Sequence, residues 1–162
     1  MKMDTQIRPI SQDDQTWIAR KLTENWGAPL IISRGIIHDA IKLPGFVVLN
    51  DSKPVGLATF RIDSQECELV TLDSWKENIG VGSLLIEAVK REALKSGCAR
   101  LWVITTNDNL YALGFYQKRG FHLVAVYPNA LAETRKIKPT IPENGLHAIP
   151  LRDEIELQIL LD

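Results

Sequence analysis

A chain of 162 residues, 45% hydrophobic and 24% charged, is long enough to bury a core of its own without metals or disulfides. Its net charge of -1 offers no basic field to nucleic acid or an anionic membrane surface, and no apolar run approaches the ~20 residues of a membrane span. The two cysteines, Cys67 and Cys98, have neither metal-knuckle nor CxxC spacing and read as reduced, buried thiols.

From the N-terminus, residues 7–10 read as a short strand. Residues 11–27 read as a helix: Ser11 caps it, acids fill its first turn, Trp17, Ile18 and Leu22 share a face, and Gly27 follows its end. Residues 33–45, SRGIIHDAIKLPG, predict a short second helix closed by Pro44 and Gly45. Residues 46–50 and 54–62 predict a hairpin that turns through Asn50, Asp51, Ser52 and Lys53. A third strand is predicted at 66–72, with Cys67, Leu69 and Thr71 alternating against Glu66, Glu68, Val70 and Leu72. Residues 81–97 carry a helical stripe of Val81, Leu84, Leu85, Ala88 and Val89, closed by Gly97. After it come a buried strand at 100–106, a helix at 109–120 and a strand at 121–127. A Pro-containing connection follows, with one helical stretch before Pro139, and the last strand, 153–161, alternates at Ile155, Leu157 and Ile159. The sum is one domain over 1–162, of mixed α/β class: a single central, twisted, mixed sheet of six to seven strands flanked by helices.

The stretch KENIGVGSLL, residues 76–85, places Gly80 and Gly82 between a strand and a helix. A helix start has unpaired N–H groups and a partly positive end, which a phosphate or pyrophosphate satisfies. Glycine allows positive φ and close approach to the main chain. No GK[ST] follows, which excludes a P-loop, and Leu85 stands where a dinucleotide fingerprint needs its third glycine. On these residues alone, an anion-holding loop and a plain strand-to-helix turn both fit.

TTNDNLYALGFYQKRGF, residues 105–121, resembles the motif that closes the acyl-CoA site in the GNAT superfamily of N-acyltransferases. Asn109, Ala112, Phe115, Tyr116, Gly120 and Phe121 stand at its Asn-x-x-Ala-x-x-apolar-Tyr and Gly-Phe positions. The glycine stretch resembles the same superfamily's pyrophosphate loop, Gln/Arg-x-x-Gly-x-Gly/Ala, with Glu77 at the Gln/Arg position. The two motifs occur in the family's order, and the likeness runs from about residue 66 to 126.

The N-terminal stretch MKMDTQIRPI lacks the apolar core of a signal peptide, and the expected location is cytoplasmic. The resemblance implies an N-acetyltransferase that takes acetyl-CoA as acyl donor, uses no metal and works by direct transfer in a ternary complex. It implies a sheet that splays open between the strands at 66–72 and 100–106. Pantetheine would pair with Val70 and Leu72, and a main-chain N–H there would hold the developing oxyanion. The pyrophosphate would fall on Asn78, Ile79, Gly80, Val81, Gly82 and Ser83, with Asn109 and Tyr116 on the far wall. An alkylamine is mostly protonated at neutral pH, so attack needs a base. Glu66 and Glu68, two apart on a strand, share a face and are the candidates. Tyr116 matches the family's tyrosine that protonates the leaving thiolate. Trp26, Arg34, His38 and Arg61 are candidates for the acceptor pocket. The expected partner is a small-molecule or peptide amine rather than nucleic acid or membrane, with a homodimer left open. Two other readings compete: an acyl-CoA-binding sensor on the same fold, and an assembly protein using the 127–150 connection as an arm.

Overall fold

A computed structural model describes residues 4–77 and 79–162. Its elements in chain order are β1 (Thr5–Pro9), α1 (Gln15–Trp26), β2 (Leu30–Ser33), β3 (Ile36–Asp39), β4 (Gly45–Asn50), β5 (Lys53–Asp63) and β6 (Glu66–Ser74). Then follow α2 (Val81–Lys95), β7 (Arg100–Thr106), α3 (Leu110–Lys118), β8 (His122–Tyr127), α4 (Ala130–Ile137) and β9 (Glu154–Leu160). Among the described residues, seven strands form one sheet in the order β1-β4-β5-β6-β7-β9-β8, while β2 and β3 pair separately. Among the pairings of the described residues only β6–β7 is parallel, and α2 is the crossover that a parallel connection requires.

The two faces of the sheet carry different cores. On one, Val81, Leu85 and Val89 of α2 pack with Ala58, Phe60, Leu69, Leu101 and Val103, and Tyr116 of α3 joins them. On the other, Ile18 and Leu22 of α1 pack with Val47, Leu57 and Ile31. Each fully buried leucine of this kind contributes about 1.5–3 kcal/mol relative to exposure. The start of α1 is fixed by Asp14, whose carboxylate accepts from both Arg8 NH1 (2.6 Å) and NH2 (2.9 Å), from Ser11 N (2.8 Å) and from Trp17 Nε1 (2.9 Å). The Arg8 bond, the largest cause, holds the Asp14 carboxyl well below the usual carboxylate range. A depressed carboxylate stabilises the fold above its unfolded pKa, and that contribution fades as pH falls toward the folded value. Asp14→Ala is expected to cost about 2–3 kcal/mol at pH 7, given five charge-assisted bonds, the fifth from Ser11 Oγ (3.1 Å), and a partly solvated arginine. Chemical denaturation at pH 7 and pH 3 checks this: the difference between wild type and variant should shrink at the lower pH.

Two expectations are corrected. Residues 33–45 do not form a helix. They hold the β2–β3 hairpin, its turn at Arg34 (φ 50°) and Gly35 (φ 74°), and a 3-10 turn at Ala40–Lys42. Two successive left-handed residues are what a two-residue hairpin turn uses, and the isoleucines beside them, Ile31, Ile32, Ile36 and Ile37, favour strand. The unbroken alternation over 66–72 also fails. The β5–β6 register slips between Thr59 and Phe60, so that Val70 is an extra residue on β6. Beyond it Thr71, opposite Thr59 and bonded to it at 2.6 Å, lies on the Glu68 side, and Leu72 turns to the α2 side.

Candidate active site

The bulge at Val70 sits where the sheet opens. Strand β6 pairs with β7 only from Glu66 to Leu69, while β7 runs on beside β9 as far as Thr106. The remainder of β6 keeps β5 on one side and faces a gap on the other. Trp75 N–H donates to the Val55 carbonyl at 2.8 Å, on the β5 side. Strand alternation therefore turns the main-chain N–H and C=O of Leu72 and Ser74 toward the gap.

An open cleft of about 700 Å³ occupies that gap, between the end of β6, the first turn of α2 and the α3 face that carries Asn109, Phe115 and Tyr116. The helix start of α2 gives it a cluster of main-chain N–H groups and a partly positive end. Gly80, at φ 72°, is the left-handed residue that enters the helix, and the space its Cβ would take is open. The absent Cβ of Gly82 makes room for a neighbouring ring instead: it would stand 2.7 Å from Phe115 Cζ. Arg119 lies at the same end of the cleft, with its guanidinium 3.5 Å above the Phe115 ring, its Nε donating to Ser83 Oγ (3.0 Å) and NH1 to the Phe115 carbonyl (3.0 Å). Lys76 Nζ donates to Asn50 Oδ1 (2.5 Å), and Glu77 lies exposed at the cleft mouth. Asn78 falls outside the described residues.

Tyr116 is buried on the cleft wall; burial first, then the nearby Asp73 charge, raises its hydroxyl pKa. The phenol is therefore a neutral O–H donor at any ordinary pH. Asp73, on β6, is pushed up to about 6 by burial, against the pull of a hydrogen bond from Trp26 Nε1 (3.2 Å).

On the other side of the splay lies a smaller cavity of about 130 Å³, and Asn109 lines both it and the cleft. Its chemical feature is Glu68, 2% exposed. Ser33 Oγ donates to Glu68 Oε1 at 2.5 Å and stands 3.1 Å from His38 Nε2. Because the one hydroxyl proton goes to Glu68, Ser33 Oγ accepts from His38, which sets the Nε2–H tautomer. Burial, and then the Arg61 charge, keeps the His38 imidazole below its ordinary value and thus neutral at pH 7. Its 3.6 Å approach to Glu68 Oε2 is accordingly no ion pair. Glu68 Oε2 is sealed from solvent without a hydrogen-bond partner, and Arg61 NH1 lies 3.8 Å away. Burial drives the Glu68 pKa up; the Ser33 bond and Arg61 oppose this, while Glu154 and Glu156 add to it. The like charge comes from these two carboxylates of β9 rather than from Glu66.

Glu66 shares the Glu68 face yet lies at the closed end of β6, half exposed and paired with Arg100 (Nε–Oε1 3.1 Å). Trp26 lines the small cavity, and His38 and Arg61 converge on Glu68. Arg34 sits at the hairpin tip outside the cavity, its main-chain N–H on Glu154 Oε2 (3.1 Å) and its guanidinium 3.2 Å above the Tyr127 ring. Sequence reasoning missed Ser33, Asp73, Arg119 and Glu154. Ser33 was hidden by the helix assigned to its segment. The even spacing of Glu154 and Glu156 on an alternating strand was the available signal for those two. The 127–150 connection is tied to its own chain: Asp108 Oδ2 accepts from Leu146 N (2.8 Å), and Leu131 and Thr134 of α4 wall the small cavity.

The model of the acetyltransferase (GNAT) family matches residues 12–121. The chain is 43% identical over 141 residues to the uncharacterized protein YdhI of Bacillus subtilis (strain 168), covering 86% of this chain and 88% of that one. It is 37% identical over 152 residues to the uncharacterized protein YxbD of the same organism, covering 93% and 96%. A solved Bacillus subtilis acetyltransferase in complex with CoA shares the fold, with a TM-score of 0.69 at 15% identity over 99% of this chain and 100% of that one. The chain belongs to the acetyltransferase (GNAT) family, and the splayed mixed sheet is that family's fold.

Proposed function

We propose that residues 1–162 act as one catalytic domain that transfers the acetyl group of acetyl-CoA to a primary amine by direct attack. The observation that carries this reading is the meeting, at Asn109, of a large cleft under a helix start with a small cavity holding a buried, half-partnered carboxylate. Acetyl-CoA supplies an activated acetyl group with a good leaving thiolate.

In this reading the α2 N–H groups over Ile79–Ser83 and the Arg119 guanidinium hold the diphosphate. The main-chain groups of Leu72 and Ser74 pair with pantetheine as an added strand would, and an amide at 70–72 donates to the carbonyl oxygen as its charge builds. Glu68 takes the proton of the attacking ammonium, and Ser33, itself bonded by His38, holds its Oε1. The amine nitrogen bonds to the carbonyl carbon, the C–S bond breaks, the Tyr116 hydroxyl gives its proton to the departing sulfur, and the second proton lost by the nitrogen restores the phenol, so that the one proton held on Glu68 is released to solvent. Glu66 is left as an ion-pair partner of Arg100.

Free-thiol release from acetyl-CoA across amine classes tests the reading, with Tyr116→Phe as the diagnostic variant. Turnover should fall about 10- to 100-fold with acetyl-CoA affinity within threefold of wild type. Unchanged turnover would remove Tyr116 from the acid role, and calorimetric binding of acetyl-CoA with no thiol release on any amine would favour a sensor.

A further inference from the structure

The small cavity specifies its occupant. Its volume of about 130 Å³ is just below the roughly 150 Å³ that takes a benzene molecule, so about six non-hydrogen atoms fit inside. Its walls divide by chemistry. Ile31, Ile32 and Leu131 supply an apolar body site, and Glu68 and Glu154 supply two carboxylates. Lys, Arg and His side chains are missing from the lining among the described residues, and Arg61 and Arg34 stand behind the carboxylates rather than in the cavity. Glu68 itself lines the cavity, and its carboxylate has one hydrogen bond, from Ser33, so it keeps capacity to accept from an ammonium or amine.

Strand β2 walls the cavity through Ile31, Ile32 and Ser33, and its hairpin is fixed at the tip by Arg34 on Glu154 and Tyr127. Lys138 Nζ, just past α4, donates to the Trp26 carbonyl at 2.7 Å, which ties the α4 wall to the end of α1. These tethers hold the walls at the stated volume.

We infer that the acceptor is a small free primary amine with a short apolar body and no carboxylate beside the nitrogen, seated at Glu68 beside the β2–β3 hairpin; this rests on the acyl-transfer reading of the cleft. A carboxylate on the amine-bearing carbon would enter among two carboxylates without a cation to meet it, and that excludes free α-amino acids as preferred substrates. A polypeptide brings a main chain that a cavity of this volume does not hold, so a free amine is preferred over a protein's amino terminus or lysine.

The test uses the full chain and three probes: n-pentylamine, 2-aminohexanoate (the same skeleton with a carboxylate) and a hexapeptide with a free amino terminus and one lysine. Binding is followed by calorimetry with and without CoA, and turnover by thiol release from acetyl-CoA. Expected is binding and turnover of n-pentylamine, with kcat/KM at least tenfold above 2-aminohexanoate and 100-fold above the peptide. Ile32→Trp from the hairpin wall and Thr134→Met from the α4 wall, each checked for a retained unfolding transition, should each cut amine turnover at least tenfold with acetyl-CoA affinity within twofold. Comparable turnover of the amino acid or the peptide overturns the inference, as does indifference to both cavity-filling changes. Acetyl-CoA binding without any amine binding sinks the inference alone. Amine binding that both variants abolish, in a chain that does not bind acetyl-CoA, upholds the ligand class and sinks the acyl-transfer reading.

Discussion

Glu68→Gln is expected to lower kcat/KM for the acceptor amine about 10²- to 10⁴-fold, the range a positioned general base contributes. Stability at pH 7 should be unchanged or slightly higher. The two effects have one cause. Burial raises the folded-state pKa of Glu68 above its unfolded value, so the folded chain binds the proton more tightly. A raised carboxylate favours folding while protonated, and this advantage is lost as pH rises through the folded value. At neutral pH the ionised side chain is therefore a burden on the fold, one that glutamine removes while retaining an oxygen for the Ser33 hydroxyl to bond at Oε1. A structural role predicts the opposite: a less stable variant with activity falling in step. The pH profile adds an independent reading. In the wild type, kcat/KM should climb with pH through a pKa above that of an ordinary glutamate, because only the ionised base accepts the amine proton. That limb should vanish in the glutamine variant. Asp73, pushed up to about 6 by burial, is a second raised carboxylate beside the cleft, so Asp73→Asn is the necessary control. If Asp73→Asn removes the acid limb and Glu68→Gln leaves it, the base is Asp73.

The parts of this site legible in the sequence were those written in short-range code. The pair Gly80 and Gly82 before an apolar helical stripe marks a helix start, and the run from Asn109 to Phe121 carries its spacing within one helix and the turn after it. Asn109 shows why such local signals are reliable: it caps α3 by accepting from Ala112 N (3.1 Å), and the same placement puts it on both cavities. The small cavity is built from residues far apart in the chain, Ser33 and His38 on a hairpin, Glu68 on β6 and Glu154 on β9, and no periodicity links them. The hairpin itself was misread because its turn rests on Arg34 adopting φ 50°, a conformation that a sequence does not advertise for arginine. The bulge at Val70 was equally hidden. One extra residue in a strand leaves the hydrophobic pattern plausible in either register, yet it moves Leu72 to the opposite face and sets where the sheet parts.

Gly82→Asp is expected to weaken acetyl-CoA binding at least 100-fold, about 2.7 kcal/mol, and the structure changes the reason for it. Glycine in such a loop is usually explained by the ligand needing close approach. Here the vacant Cβ position points at Phe115, 2.7 Å from Cζ and 3.0 Å from Cε2, so the first atom of any side chain strikes a ring before it reaches a ligand. That ring is not idle packing. It carries the Arg119 guanidinium 3.5 Å above its face, with the Tyr111 ring stacked at 6.1 Å, and it separates the first turn of α2 from α3. Displacing it widens the cleft and moves the cation that faces the proposed diphosphate. Aspartate adds a second penalty: two like charges about 5 Å apart at an effective dielectric near 20 repel by about 3 kcal/mol. Alanine separates the two contributions, since it brings the steric clash without the charge. Gly82→Ala should therefore weaken acetyl-CoA by about tenfold, and Arg119→Gln by a comparable amount. The double variant should lose less than the product of the two, because both act through the same guanidinium. Calorimetry with acetyl-CoA measures all four proteins. Wild-type affinity in G82D would mean that the diphosphate is held elsewhere, and strict multiplicativity in the double variant would mean that Phe115 does not couple the α2 helix start to Arg119.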